Sequence, residues 1–475
     1  MWTQIGKGFM DGFQFIINCG PTVMLPIIIT IVGLIFGLKI TSAFKSGLTL
    51  GIGFAGIKLV LDFMTTNIGP AAKAMVERTH VHLDALDVGW GSIAAVTWAS
   101  PIIPILIFVI LAINIVLLIL KATHTLDVDI CYYHHMAIVG IMVFFVTHNV
   151  FLGVGAAAVM AILTFKMSDW SQPMVEKFFN MPGVSLPTVS ALSSLVIAVP
   201  LNWLLDKIPF FRKSKFSIRD AQKYLGFFGD SMIMGLLIGL VIGILAGYNL
   251  QQVLQLGVSM SAVLVLIPKM TAMFMEGLMP ISESAQKWSQ KKFKGRKLFI
   301  GLDAAVIVGN PDVITTALII IPLTIAMAIV LPGNRVLPFA DLAVVPFRVA
   351  LVVALTNGNL LKNIVIGLVV TASLLWCGSA TSPVLTAIAK SVGIKLSTGG
   401  SLLISSFAAT AMLQSFIVYF AFTFHPLISV PILLLAIAGI WYYYDKIKHI
   451  NKNAEDEEAT LQKEQEEAKK LGDIK

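Results

Sequence analysis

Charge is scarce in this chain. Only 13% of its 475 residues are Asp, Glu, Lys or Arg, against 57% hydrophobic, and the mean hydropathy is +0.87. No soluble domain of that length buries so much apolar surface, which leaves a polytopic, all-α membrane protein. Cysteine is scarcer still. Cys19, Cys131 and Cys377 are odd in number, far apart and in apolar surroundings, which excludes a disulfide framework and a metal signature and suits small packing residues. No Gly-x-x-x-x-Gly-Lys-Ser/Thr string occurs, so hydrolysis of a nucleotide through a P-loop is excluded. The first fifteen residues mix Gly, Asp and Gln with aromatics and lead to no small-residue cleavage pattern; they are read as a short amphipathic helix, not a cleaved signal. The short alternating segments of an outer-membrane barrel are missing too. No cofactor and no metal are expected.

What is present is a series of apolar stretches, centred near residues 30, 55, 110, 143, 158, 195, 239, 264, 320, 345, 368, 410 and 432. They outnumber plausible spans, so some are re-entrant or half-spans, leaving roughly ten or eleven crossings of about 20 residues each. The net charge of +8 is no nucleic-acid footprint, because the positive residues cluster beside apolar segments. Lys207, Arg212, Lys213, Lys215, Arg219 and Lys223 form one basic loop; Lys287, Lys291, Lys292, Lys294, Arg296 and Lys297 form another. Two apolar spans separate them, so both fall on one side, the cytoplasmic one. The expected division is a first membrane half over 1–205, a cytoplasmic loop over 206–230, a second half with the final helices over 231–444, and a charged cytoplasmic tail over 445–475. The tail follows an aromatic girdle, Trp441-Tyr-Tyr-Tyr444, and reads as a solvated segment.

The two halves share a pattern. Leu48-Thr-Leu50-Gly51 has a counterpart in Leu254-Gln-Leu256-Gly257, and each opens a long Gly-containing apolar helix. Each is followed by a Gly–Pro break, an amphipathic stretch expected to lie on the surface, and an Asp among small residues, Asp87 in one half and Asp303 in the other. The second amphipathic stretch is strongly basic and the first nearly neutral, as two repeats of opposite orientation would be. Such repeats place a substrate near the bilayer midplane between broken segments from each half.

The segment Asp303-Ala-Ala-Val-Ile-Val-Gly-Asn310-Pro-Asp312 is out of place in a regular membrane helix. Irregular backbone at that depth persists only where protein buries it or water reaches it, and a carboxylate there marks a functional site. Asp303 has three readings: a hydrogen-bond acceptor for a hydroxylated solute, a carrier of a coupling ion, or a cap on a short helix. Asn310 is the better ligand candidate of the second pair, with Asp312 read as a cap and Pro311 as a first-turn residue. The companion segment from Asp87 holds Trp90 and Trp98; Trp90 is read as lining the site with an apolar face, and Trp98 divides between the site and an interfacial belt. His134 and His135 lie in an apolar helix, one facing the interior and the other the protein or lipid interface. Thr188, in Leu186-Pro-Thr188-Val, either adds a hydroxyl to the site or caps the following helix.

These residues resemble a known family, the membrane (IIC) subunits of bacterial sugar phosphotransferase systems, ascorbate–galactitol superfamily, with the galactitol branch the closer match. The strings that carry the resemblance include Cys19-Gly-Pro21-Thr-Val-Met-Leu-Pro26, Asn67-Ile-Gly-Pro70-Ala-Ala-Lys-Ala-Met75, Asp87-Val-Gly-Trp90, Phe299-Ile-Gly-Leu-Asp303, Val330-Leu-Pro-Gly-Asn334-Arg-Val-Leu-Pro-Phe339 and Asp341-Leu-Ala343. The resemblance implies a homodimer in the bacterial inner membrane, an elevator-like movement of a core domain, and separate IIB and IIA proteins, of which IIB phosphorylates the solute. It also implies that Asp303 meets the solute, with His134 matching the ascorbate branch and His135 the galactitol branch. Where the galactitol branch has Pro-His-Gly, this chain has Pro187-Thr188-Val189, so galactitol or a related polyol is the expected solute. The chain has no phosphoryl-carrying residue of its own. The rival reading is an ion-coupled secondary transporter of a polyol or ascorbate-like solute.

Overall fold

The computed structural model describes residues 21–78, 83–98, 100–127, 130–213, 231–292, 298–338, 340–392 and 403–447. The N-terminal helix, Cys19, His80, His82, the outer parts of both basic loops and the tail beyond 447 lie outside the described residues.

The described chain is mostly helical. In order it runs α1 (Pro21–Ile35), α2 (Ile40–Arg78), β1 (Ala85–Asp87), α3 (Trp90–Trp98), α4 (Ile103–Ile119), β2 (Thr125–Asp127), a 3-10 turn (Ile130–Tyr133), α5 (His134–Thr147), α6 (Val150–Phe179), β3 (Val184–Ser185), α7 (Val189–Lys207) and the short α8 (Pro209–Lys213). It resumes with α9 (Ser231–Leu245), α10 (Leu250–Lys292), β4 (Phe299–Gly301), a 3-10 turn (Ala304–Val306), α11 (Pro311–Val330), β5 (Val336–Leu337), a 3-10 turn (Ala340–Val344), α12 (Val345–Leu355), α13 (Leu360–Ser391), β6 (Leu403–Ser405), α14 (Leu413–Thr423) and α15 (Pro426–Tyr442). Among the described residues, α6, α7, α11, α13 and the segment Pro426–Asp445 are long and apolar enough to cross a membrane, and five shorter apolar helices accompany them.

The order of elements from α1 to α7 recurs from α9 to α14, and local detail recurs with it. Helix α1 stops at Gly37, φ +89°, with Leu38 N donating to Gly33 O at 2.9 Å; α9 stops at Gly247, φ +71°, with Tyr248 N donating to Gly243 O at 3.1 Å. Both are left-handed stops that glycine adopts without a Cβ penalty. Helices α6 and α13 each start on an Asn cap. Asn149 Oδ1 accepts from Phe151 N and Leu152 N, and Asn359 Oδ1 accepts from Lys362 N.

One expectation fails here. The stretches after Gly69-Pro70 and after Gly277 are not separate surface helices; α2 runs unbroken through Pro70 and α10 continues past Pro280 to Lys292. A proline inside a helix forfeits a hydrogen bond and crowds the preceding turn. Close packing of α2 on α10 outweighs that: a Cβ on Gly277 would meet the Leu50 backbone at 2.6 Å, and one on Gly56 would meet Met270 Sδ at 2.2 Å.

Two three-stranded parallel sheets occupy the breaks between helices, in the orders β5-β1-β6 and β2-β4-β3. Each has a central strand from one half flanked by two from the other. Leu86 lies opposite Leu337 and Ile404; Ile300 lies opposite Leu126 and Val184. Their inter-strand bonds satisfy backbone that a membrane interior would otherwise leave unmet. Buried polar side chains tie the second sheet to α6. Asp169 accepts from Thr123 Oγ1 (2.8 Å), Thr125 Oγ1 (2.9 Å) and Thr125 N (3.0 Å), while Thr125 Oγ1 reaches Ser185 Oγ at 2.9 Å. The first sheet is clamped from outside by the exposed ion pair of Arg335 with Asp84, which holds the Asp84 carboxyl below its ordinary range.

By contacts the chain divides after Phe420, so the expected first half and residues 231–420 of the second share one unit, while 421–444 fall in the other. In the second unit, α15 is apolar on every face, with Leu427 and Leu435 exposed. Trp441 Nε1 there donates to Asp445 Oδ2 at 2.6 Å.

Candidate functional site

Strand β4 ends at Gly301, and Asp303 follows in extended conformation before the turn Ala304–Val306. It occupies the cap position of that turn, yet its carboxylate makes no capping bond. Thr188 Oγ1 instead accepts from Ala304 N at 2.7 Å and donates to Asp303 Oδ1 at 2.8 Å. Thr188 stands at the cap position of α7 and does not cap it either. The capping reading therefore fails for both side chains, and one hydroxyl holds the turn and the carboxylate together. Asp303 is 4% exposed, and its Oδ2 has no hydrogen-bond partner among the described residues. An unmet buried polar atom costs about 1–3 kcal/mol, more when charged, so stability alone gives no reason for a carboxylate here.

A cluster of rings faces it. The Tyr132 hydroxyl approaches the Asp303 carboxylate without closing a bond on Oδ2. Trp90 stacks on Tyr132 and on His134, with centroids at 6.1 and 5.9 Å, and Tyr132 stacks on His135 at 5.8 Å. His134 and His135 are 4.0 Å apart, and His135 Nδ1 lies 3.3 Å from Tyr132 O. Of the alternatives for the second histidine, a protein or a lipid interface, the lipid one is not seen. Both are buried, because α5 is covered by protein on all sides from His134 to Val143.

Asp87 has a different environment. Its Oδ2 accepts from Asp341 N at 2.8 Å and its Oδ1 from Gly89 N at 3.3 Å. Asp341 in turn accepts from Trp90 N (2.8 Å), Ser406 Oγ (2.6 Å) and Ala408 N (3.0 Å). This relay positions Trp90, so Asp87 shapes the site through Asp341. Ser405 lies opposite Asp87 and Ser185 opposite Gly301, so Asp87 and Gly301 hold like positions at the ends of the two central strands. Gly301 is required in its slot, since a Cβ would meet Asp127 Cα at 2.9 Å.

Asn310 has a structural bond of its own. Its Oδ1 caps α11, accepting from Asp312 N (2.9 Å) and Val313 N (3.4 Å), with Pro311 at the first helical position as expected. The cap expected at Asp312 is thus supplied by Asn310.

The sequence reading missed Tyr132, Asp341 and Arg348. Arg348 is 3% exposed on α12, its Nε, Nη1 and Nη2 without hydrogen bonds among the described residues, 5.4 Å above the Phe407 ring and under the charges of Asp341 and Asp87. Its signal was available: it is the one charge in the apolar run of α12. Among the described residues no three His, Cys, Asp or Glu side chains group as metal ligands.

Apolar helices of membrane length around a polar centre built on broken segments define a polytopic membrane protein with an internal polar site. Residues 15–399 match the model of the galactitol-type EIIC family, described as the PTS system sugar-specific permease component. The chain is similar to the galactitol-specific EIIC component of the PTS system of Escherichia coli (strain K12), at 39% identity over 392 residues, 82% of this chain and 87% of that one. A putative permease IIC component of the same strain is 37% identical over 377 residues, 79% of this chain and 86% of that one. The chain belongs to the galactitol family of bacterial PTS sugar-specific permease components. It is thus a multi-pass membrane permease, and membership implies a sugar substrate and IIA and IIB partner proteins.

Proposed function

We propose that this permease translocates galactitol or a related polyol, which a separate IIB protein phosphorylates as it emerges. The observation that carries this reading is the buried, unmet Oδ2 of Asp303 beside the Thr188 hydroxyl and a stack of four rings. A polyol offers hydroxyl donors to the carboxylate and to ring nitrogens, and C–H faces to Trp90 and Tyr132. Asp303, Thr188, His134, His135, Tyr132 and Trp90 are the solute contacts, and Asp87 positions Trp90 through Asp341. Two repeats of opposite orientation account for the recurring element order and for sheets that exchange strands between halves. A homodimer whose core moves past a scaffold as an elevator is the accompanying mechanism.

Transport into proteoliposomes tests the reading. Accumulation of polyol phosphate should require IIB, IIA and a phosphoryl donor. Accumulation of free polyol driven by a proton or sodium gradient, without them, would establish the ion-coupled alternative instead. A more local test uses Thr188. Thr188→Val keeps the side-chain shape but strands Ala304 N–H and Asp303 Oδ1, so it should cost about 1–3 kcal/mol of stability and weaken polyol binding about tenfold. Thr188→Ser keeps the hydroxyl and should bind within about threefold of the unaltered protein.

A further inference from the structure

Helix α14 carries a second set of polar groups with nothing to bind. Gln414 in its first turn is 3% exposed, and neither Nε2 nor Oε1 has a hydrogen-bond partner among the described residues. Ser415 beside it is 2% exposed, with its Oγ equally unmet. Two anchors fix their place. Gln414 N donates to Ser193 Oγ at 3.3 Å, and Ser193 lies five residues beyond Thr188, about 7.5 Å along the axis of α7. On the other side, the turn leading into α14 is held to Asp341 by Ser406 and Ala408 and faces His135 at Ala408. Gln414 is therefore held between the helix that starts at Thr188 and the turn that meets His135. It lies beyond the residues 15–399 that match the family model.

A buried amide with both ends unmet is unfavourable where Met or Leu would fill the same space without that loss. A ligand offering one acceptor and one donor side by side would meet both ends. A vicinal diol does so, one hydroxyl oxygen accepting from Nε2 while its neighbour donates to Oε1. We propose that Gln414, with Ser415 beside it, contacts the solute and reads a vicinal diol of the polyol. This rests on the reading of the Asp303 pocket as the solute site.

The test is calorimetric binding of galactitol, and of galactitol analogues with single hydroxyls replaced by hydrogen, to the purified full-length protein and its variants. Gln414→Met should weaken galactitol binding about tenfold or more while leaving the ligand-free unfolding temperature equal or higher. Discrimination should also flatten: the analogue lacking the contacted hydroxyl binds the unaltered protein about tenfold more weakly than galactitol, but binds the variant equally well. Gln414→Glu and Ser415→Ala carry the same readout if Gln414→Met does not fold. Unchanged binding by the Gln414 variants, with binding lost in Asp303→Asn, would overturn the Gln414 proposal and leave the pocket standing. Uniform weakening for all analogues with a lowered unfolding temperature would overturn it in favour of a packing role. Unchanged binding in both Asp303→Asn and Gln414→Met, or no binding of the series by the unaltered protein, would remove the pocket reading and the proposal together.

Discussion

Asp303→Asn is expected to abolish high-affinity polyol binding across the whole pH range in which the protein stays folded. The asparagine keeps an acceptor for the Thr188 hydroxyl, which bonds Asp303 Oδ1 at 2.8 Å. At the position of the unmet Oδ2 it places an NH2 group, a donor facing solute hydroxyls that need an acceptor. Hydrogen bonds to a charged partner contribute about 1.5–3 kcal/mol each. Loss of one, with a donor clash in its place, corresponds to roughly 100-fold in affinity. The ligand-free protein should unfold at nearly the same temperature, because the bond from Ala304 N to Thr188 Oγ1 survives. Isothermal titration with galactitol at several pH values checks this. A variant that binds normally but whose transport no longer follows a proton gradient would move Asp303 from solute contact to ion coupling.

Asp303 was legible in the sequence because it breaks a strong rule, a carboxylate and two glycines where the membrane wants a continuous apolar helix. The aromatic wall was half legible. Trp90 and the two histidines stood out as polar-tipped residues in apolar surroundings, while Tyr132, the ring that joins them, lay beside them unremarked. The sequence left the second histidine between a protein and a lipid interface, because no local pattern reports that a short apolar helix is enclosed by its neighbours. The strands were illegible for a different reason. With two or three residues each, they are too short for any alternation to register, so the register that matches Asp87 with Gly301 could not be anticipated. Asp341 was hidden by the same shortness, since its partners come from positions 87, 90, 406 and 408, brought together only by sheet pairing. Gln414 and Arg348 differ again. Arg348 is the one charge of an apolar helix and Gln414 one of two adjacent polar residues that open another, and only the packed structure shows that neither side chain has a hydrogen-bond partner among the described residues.

Asp341→Ala is expected to give the largest loss of folded protein of any single change near the site. Its carboxylate accepts from Trp90 N, Ser406 Oγ and Ala408 N, so alanine strands three donors at once, two of them buried and one part-buried. It is also the foremost charge acting on the buried Arg348, ahead of Asp87. Among the described residues the two side chains form no hydrogen-bonded pair, but each stranded buried donor costs about 1–3 kcal/mol, and loss of the foremost countercharge of a buried cation adds to that. That is a large part of the few kcal/mol by which folded proteins are stable. Size-exclusion profiles and thermal unfolding of the detergent-purified protein should show little monodisperse Asp341→Ala. Adding Arg348→Met should recover part of the loss, since an apolar side chain of similar length removes the orphaned cation while the three stranded donors remain. Recovery to the unaltered level would mean that the donors contribute little and that charge balance alone fixes this corner. No recovery would mean the reverse, that Asp341 acts through backbone and hydroxyl bonds and that Arg348 is compensated elsewhere. The recovered double variant should still bind polyol weakly, because Trp90 loses the carboxylate that holds its N–H at 2.8 Å and with it the fixed stack on Tyr132 and His134. Positioning of that ring is the link by which a carboxylate with no opening to the solute governs the site.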